Sequence, residues 1–274
     1  MAYFDAPYRP ADLTVDSSHS LASGLAAWFP LTDGSGTTID CIVHAGHTAT
    51  QSGGVSWAST DIGTAASFDG VDDYFNLGTS FWNDNIAGGY DFSINAWFYV
   101  DSTSSDSCIT GSWGPESNLI MWVDVAGGSV SLTCIGTSSG FPITSTSAPT
   151  VSTGNWHMGT LVADNTAGTA TVYLDGVSDN SVSYTASLST ITNAFGLGSD
   201  RGYSAVRQMS GDIQNIRFYS RALSAAEIAL LHTRPWTASN LSLIHISEPT
   251  RPERIGVGGV GCKKKRGGGG GGGG

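Results

Sequence analysis

Residues 91–100 read DFSINAWFYV, and this stretch decides the fold. Phe92, Ile94, Ala96, Phe98 and Val100 occupy every second position, so an extended chain brings all five to one face. Working outward, short apolar-alternating runs recur between turn residues, and long helical periods are absent. Residues 25–31 (LAAWFPL) are one run, ended by Asp33-Gly34-Ser35-Gly36. Residues 65–68 and 74–77 lie either side of the turn at Asp69-Gly70. Residues 120–125 and 129–135 flank Ala126-Gly127-Gly128, a hairpin signal. Residues 156–163 and 169–174 flank a turn with Asn165 and Gly168, and residues 213–219 form the last strand. The expected class is all-β with one short C-terminal helix. That helix spans residues 225–232. Ser224 and Glu227 are spaced as a capping box, Ile228 and Leu231 face the strands, and Pro235 stops it. The Ser/Thr-rich loop at 136–153 is long enough to carry function.

The C-terminal residues 241–274 do not read like the rest. LSLIHISEPTR (241–251) resembles the translation of a sequencing adapter, and the lysine run at 263–265 with the closing glycines resembles homopolymer read-through. These residues are taken as a sequencing artefact, inside a tail at 236–274 expected to be disordered. The alternative is a basic tail followed by a flexible linker. The segment 241–274 holds six of the chain's 12 Lys+Arg and two of its 23 Asp+Glu. The first 240 residues keep six arginines, no lysine and 21 carboxylates, a net charge of −15 against −11 for the whole chain. Such a surface repels phosphate backbones and anionic membranes, so neither nucleic acid nor a membrane is an expected partner. No apolar run approaches the roughly 18 residues of a membrane span. The opening MAYFDAPYRPADL has no apolar core, so no signal peptide is expected. Leaderless export or packing into a virus particle is the expected route, with an extracellular or virion-associated location. Cys41, Cys108 and Cys134 are odd in number and form no C-x-x-C pair, so buried small hydrophobes are expected rather than a disulfide framework or zinc site.

Six motifs then occur in a recognisable order: GLAAWFPLTDGSGTTIDC (24–41), SFDGVDDYFNLG (67–78), FSINAWFYVD (92–101), NWHMGTLVADNTAGTATVYLDG (155–176), GLGSD (196–200) and GDIQNIRFYSRALSAAEI (211–228). Together they resemble the laminin-G-like jelly rolls of the concanavalin A-like lectin/glucanase superfamily. The resemblance implies two antiparallel sheets packed as a β-sandwich over residues 20–235, preceded by an arm at 1–19. It also implies a binding role, directed at carbohydrate or surface glycan. The leaderless opening and HSLASGL (19–25) resemble phage or prophage structural products, so a virion decoration protein working through protein–protein contacts is the alternative.

The superfamily's hydrolases work with paired carboxylates on one strand. Before residue 241 this chain has only Glu116, in a turn, and Glu227, in the helix cap. No Gly-x-Ser-x-Gly elbow is present, and His157 beside Trp156 reads as a packed strand residue. The chain is therefore expected to be non-catalytic, with no catalytic residues; a hydrolase using two aspartates is the lesser alternative. Calcium needs six to eight hard oxygens, and Asp69, Asp72 and Asp73 crowd one turn, so a Ca²⁺ site is considered there beside the simpler reading of a capped turn. Relatives often carry an Asp pair in the last strand; here Gln214-Asn215 stands instead. Trp28, Trp97 and Trp156 fall on strands and are assigned to the core. Trp82, Trp113 and Tyr203 fall in turns or loops, so these three and Arg201 are the candidate glycan contacts.

Overall fold

The alternation in the deciding stretch is realised as strand β7 (Phe92–Val100), whose residues Phe92, Ile94, Ala96, Phe98 and Val100 all enter the main core. The computed structural model describes residues 13–61, 63–102, 105–113, 118–125, 131–136, 141–144, 150–185, 190–200, 207–237 and 273–274. Contacts divide the chain into a unit spanning Met1–Leu241, which holds every element below, and a unit spanning Ser242–Gly274.

One sheet runs β14 (Val177–Ser183), β13 (Thr169–Leu174), β12 (Trp156–Asp164), β7, β16 (Ser210–Tyr219), β5 (Gly63–Asp69), β4 (Ser56–Thr60), with β1 (Leu25–Phe29) also paired to β16. The other runs β11 (Phe141–Thr144), β10 (Ser131–Gly136), β9 (Asn118–Asp124), β8 (Ser107–Trp113), β15 (Phe195–Leu197), β6 (Tyr74–Gly78), β3 (Thr48–Ser52), β2 (Thr38–Asp40). The pairings are antiparallel, and the chain crosses repeatedly between layers: β5 and β7 lie in one sheet while β6 lies in the other. This is the expected jelly-roll sandwich. Between the layers Phe81 meets Phe218 and Phe195 with ring centroids 4.8 and 5.4 Å apart. Cys41, Cys108 and Cys134 are buried and unpaired, as expected.

The back of the first sheet is covered. Helix α2 (Ala225–Thr233) and a 3-10 turn at Ser20–Ala22 lay Leu21, Ile228 and Leu231 over Trp28, Trp97, Met158 and Tyr219. Leu13, Val15 and Trp236 pack on the same layer. The expected capping box closes α2, with Ser224 Oγ accepting the Glu227 amide and Glu227 accepting the Ser224 amide. Arg221 adds a two-pronged contact to the Glu227 carboxylate, at 2.6 and 3.0 Å. Burial pushes the Glu227 carboxyl up, but the hydrogen bonds from Arg221 and Ser224 outweigh it and hold the group down at about 2. A depressed folded-state pKa means that this stability is fully present above the ordinary carboxylate range and is lost as pH falls towards 2. Acid titration of the wild type, followed by circular dichroism, is therefore expected to show a loss between about pH 4.5 and pH 2 that is reduced in Glu227→Gln.

β16 carries a bulge between Gln214 and Arg217, with Asn215 at φ +60°, a conformation asparagine tolerates. Asn215 donates its backbone N–H to the Pro30 carbonyl, accepts the Trp28 indole N–H at 2.6 Å, and donates its amide to the Pro235 carbonyl at 2.7 Å. Arg217 is 0% exposed. It donates to the same Pro235 carbonyl and sets its guanidinium 4.0 Å from the Trp28 ring centroid. Burial pushes its pKa down to about 10, so the cation persists at neutral pH, held over the indole face. Gln214 and Asn215, where relatives often carry aspartates, are thus fully buried structural residues.

Candidate recognition face

With the back of the first sheet covered, the outer surface of the second sheet is the other broad face of the sandwich. Its register lines up one row: Thr38 opposite Thr50, Thr50 opposite Asn76, Asn76 opposite Gly196, Gly196 opposite Gly111, and Gly111 opposite Ile120. Two adjacent strands therefore present glycine at the middle of the row, so no side chain stands between Asn76 and Ile120, and both glycines are buried. On one side Thr38, Asp40, Thr48 and Thr50 are exposed and Tyr74 and Asn76 half-buried. Asn76 Oδ1 accepts the Gly78 amide at 3.0 Å, which fixes the orientation of the side chain. On the other side Cys108, Ile120 and Trp122 form a buried cluster, and the Arg207 guanidinium lies 4.9 Å from the Trp122 ring centroid. Arg207 is paired with Asp106 at 3.5 Å and Asp200 at 3.6 Å. Asp200 is 1% exposed; burial pushes its carboxyl up and Arg207 opposes that shift. Burial also raises the Cys108 thiol well above its usual range, so this cysteine is an apolar packing residue rather than a nucleophile.

At the start of β6 the carboxylates of Asp69, Asp72 and Asp73 lie within 4.8 Å of one another. Local structure explains much of this. Asp69 Oδ1 accepts the Val71 amide at 2.8 Å, as in an Asx turn. Asp73 is 3% exposed, and its two oxygens accept the amides of Gly54 and Asp69. Gly53 sits at φ +76°, where an added Cβ would fall 2.5 Å from Asp73 Oδ1. A carboxylate oxygen has two lone pairs, so these bonds leave acceptor capacity for a hard cation.

The structure redistributes the other candidates. Trp82 is not in a loop: it lies on a short helix, α1 (Ser80–Asn85), and is 1% exposed against Phe92 and Phe195. An indole with no free face is not a sugar platform, and the Trp82 assignment is corrected to core. Its neighbour Asn83 explains the helix's attachment, exchanging hydrogen bonds of 2.9 and 2.7 Å with the backbone of Ile191. Trp113 ends β8, but its side chain lies outside the described residues, as do Arg201 and Tyr203. Sequence reading missed Arg207 stacked on Trp122. The alternation of LIMWVD (119–124) assigns Trp122 to the face opposite Leu119, Met121 and Val123, and that signal was available. Among the described residues no helix is long and apolar enough to cross a membrane.

Two antiparallel layers, the first backed by a helix, make a jelly-roll β-sandwich. The chain belongs to the concanavalin A-like lectin/glucanases superfamily, through a laminin-G family model matching residues 69–229. No curated protein sequence matches it. Among solved structures it is similar to domain 4 of an extracellular arabinanase from Geobacillus stearothermophilus in complex with arabinotriose, at 20% identity and a TM-score of 0.59, covering 77% of this chain and 98% of that one. It is also similar to a Trypanosoma rangeli sialidase mutant displaying trans-sialidase activity, at 18% identity and a TM-score of 0.55, covering 82% of this chain but 36% of that one. The botulinum neurotoxin serotype D binding domain matches at 14% identity and a TM-score of 0.54, covering 76% of this chain and 50% of that one. The chain thus spans about a third of the sialidase and half of the toxin domain.

Proposed function

We propose that the chain is a carbohydrate-binding module that receives a glycan across the outer face of the second sheet, outside a cell or on a virus particle. The observation that carries this reading is the row of exposed and half-buried groups on the outer face of the second sheet, Thr38, Thr50, Asn76 and the ring of Tyr74, which ends at the side-chain-free pair Gly196 and Gly111. Sugars are held by an aromatic face and a few fixed polar groups, and Tyr74 with Asn76 and the neighbouring threonines offers both. The arabinanase domain, matched over nearly its whole length and seen with arabinotriose, makes short neutral oligosaccharides the first ligands to try. Trp113, Arg201 and Tyr203 keep their place as glycan contacts. Calcium belongs to the same reading, at Asp69, Asp72 and Asp73, beside Tyr74.

The test is a glycan array followed by calorimetry, with and without chelator. Neutral oligosaccharides are expected to bind, and Tyr74→Ala and Asn76→Ala to weaken binding about tenfold, or about 1.4 kcal/mol, each. Added Ca²⁺ is expected to raise the melting temperature of the wild type but not of Asp72→Asn; no shift in either leaves the three aspartates a turn brace only. Silence across neutral and charged sugar classes, with co-purification on particles, overturns glycan binding in favour of a virion decoration protein.

A further inference from the structure

We propose that Ser152 is an activated nucleophile, the head of a Ser–His–Asp relay that takes a short acyl group from an ester. The relay lies at the rim of the sandwich, where β12 begins and the turn at Asp175-Gly176 ends β13. His157 is 6% exposed and packs its ring on Phe98, centroids 6.0 Å apart. Its Nδ1 lies 2.8 Å from Asp175 Oδ2, and the other Asp175 oxygen accepts the Met158 amide at 2.8 Å. Burial pushes the Asp175 carboxyl up, but the bonds from His157 and Met158 prevail and hold it below its usual value. The carboxylate is therefore an acceptor only, so Nδ1 carries a proton towards it; in the neutral imidazole the lone pair is then on Nε2, which also lies 3.2 Å from the Ser152 carbonyl oxygen. Nε2 lies 3.0 Å from Ser152 Oγ. This order of groups, hydroxyl to Nε2 and Nδ1–H to carboxylate, is the arrangement by which a serine loses its proton on attack.

Two further contacts shape the site. Asn155 donates its amide to Ser152 Oγ at 3.1 Å, so the hydroxyl is free to donate towards His157 while it accepts from Asn155. The backbone N–H of Ser152 also reaches Nε2, at 3.1 Å, and shares its lone pair. That sharing pins residues 152–157 in place and limits the basicity available to the hydroxyl, so the chemistry is expected to be slow. Ser152, Thr153, Gly154 and Asn155 are all exposed, which suits a small acyl group carried on a large molecule, such as an O-acetyl ester. In the step, Oγ attacks the ester carbonyl carbon and its proton passes to Nε2. The carbon–alkoxy bond then breaks, the alkoxide takes the proton from Nε2, and the acyl group stays on Oγ. Water repeats the sequence and releases the carboxylic acid. The proposal departs from the expectation of a non-catalytic chain. The sequence hid it because the serine stands in a loop without an elbow motif and the aspartate in a hairpin turn.

The test is incubation of the full chain with p-nitrophenyl acetate and, separately, with a fluorophosphonate, read by intact mass and peptide mapping. One adduct on Ser152 is expected. Ser152→Ala should keep the wild-type melting temperature and lose the adduct. Asp175→Asn should slow labelling at least tenfold and change its pH profile. Absence of an adduct on Ser152, or labelling no faster in the wild type than in Asp175→Asn, overturns the proposal; the melting temperature of each variant separates lost chemistry from lost fold, since Asp175 also braces the Met158 amide.

Discussion

Replacing Trp82 with alanine is expected to lower the stability of the domain by about 3–5 kcal/mol. The indole is 1% exposed and sits with its ring centroid 5.7 Å from Phe92 and 5.1 Å from Phe195, so it bridges β7 in one sheet and β15 in the other. Removing it withdraws apolar area from burial and also leaves a cavity that two sheets cannot close by moving independently. The same helix carries Phe81, packed on Phe29, Phe195 and Phe218, so the loss propagates to the centre of the sandwich. Urea unfolding reads the effect directly as a lower midpoint with an unchanged slope. The folded fraction should keep any glycan affinity the wild type has. Wild-type stability combined with lost glycan binding would restore Trp82 as a sugar platform.

Gly211→Ala is expected to be more severe, with little soluble protein or a loss above about 4 kcal/mol. Gly211 lies in β16 between Val100 of β7 and Phe68 of β5 and has φ +137°. A Cβ there would fall 2.0 Å from the Tyr99 carbonyl oxygen and 3.2 Å from the Asp101 amide. Those are backbone atoms held by the sheet, so no side chain can swing aside. Gly78→Ala is the contrast: its φ is also positive, at +74°, but an added Cβ meets nothing within 4 Å. That change should cost about 1 kcal/mol, from backbone conformation alone. Soluble yield and urea midpoint, compared between the two variants, check the pair.

Much of the sandwich was legible because period-2 alternation is a local signal. Residues 91–100 and 169–174 carried it and became β7 and β13 with the same bounds or nearly so. The capping box at Ser224 and Glu227 was legible for the same reason, since its partners are three residues apart. What escaped depends on partners far away in sequence. SFWNDN (80–85) has too few residues to show a helical period, and it folds as a helix because Phe81 and Trp82 are buried by strands more than a hundred residues apart from one another. β2, β3 and β4 are rich in Thr, Ser and Ala with little apolar alternation, and they are strands because paired edges satisfy their backbones. β11 fell inside a stretch expected to be loop. The candidate recognition face was illegible for a related reason. Gly196 and Gly111 become neighbours only through the register of β15 and β8, and Arg207 meets Trp122 only across the fold.

The seating of Trp28 against Asn215 has a consequence for biosynthesis. The two residues are 187 positions apart, and among the described strands β1 pairs with β16. At translation rates of 5–20 residues per second, the first strand waits roughly 10–40 seconds for its neighbour to emerge from the ribosome. During that interval the apolar run LAAWF stays on a nascent chain, a natural substrate for a holdase, and the sandwich closes only after Pro235 has cleared the exit tunnel.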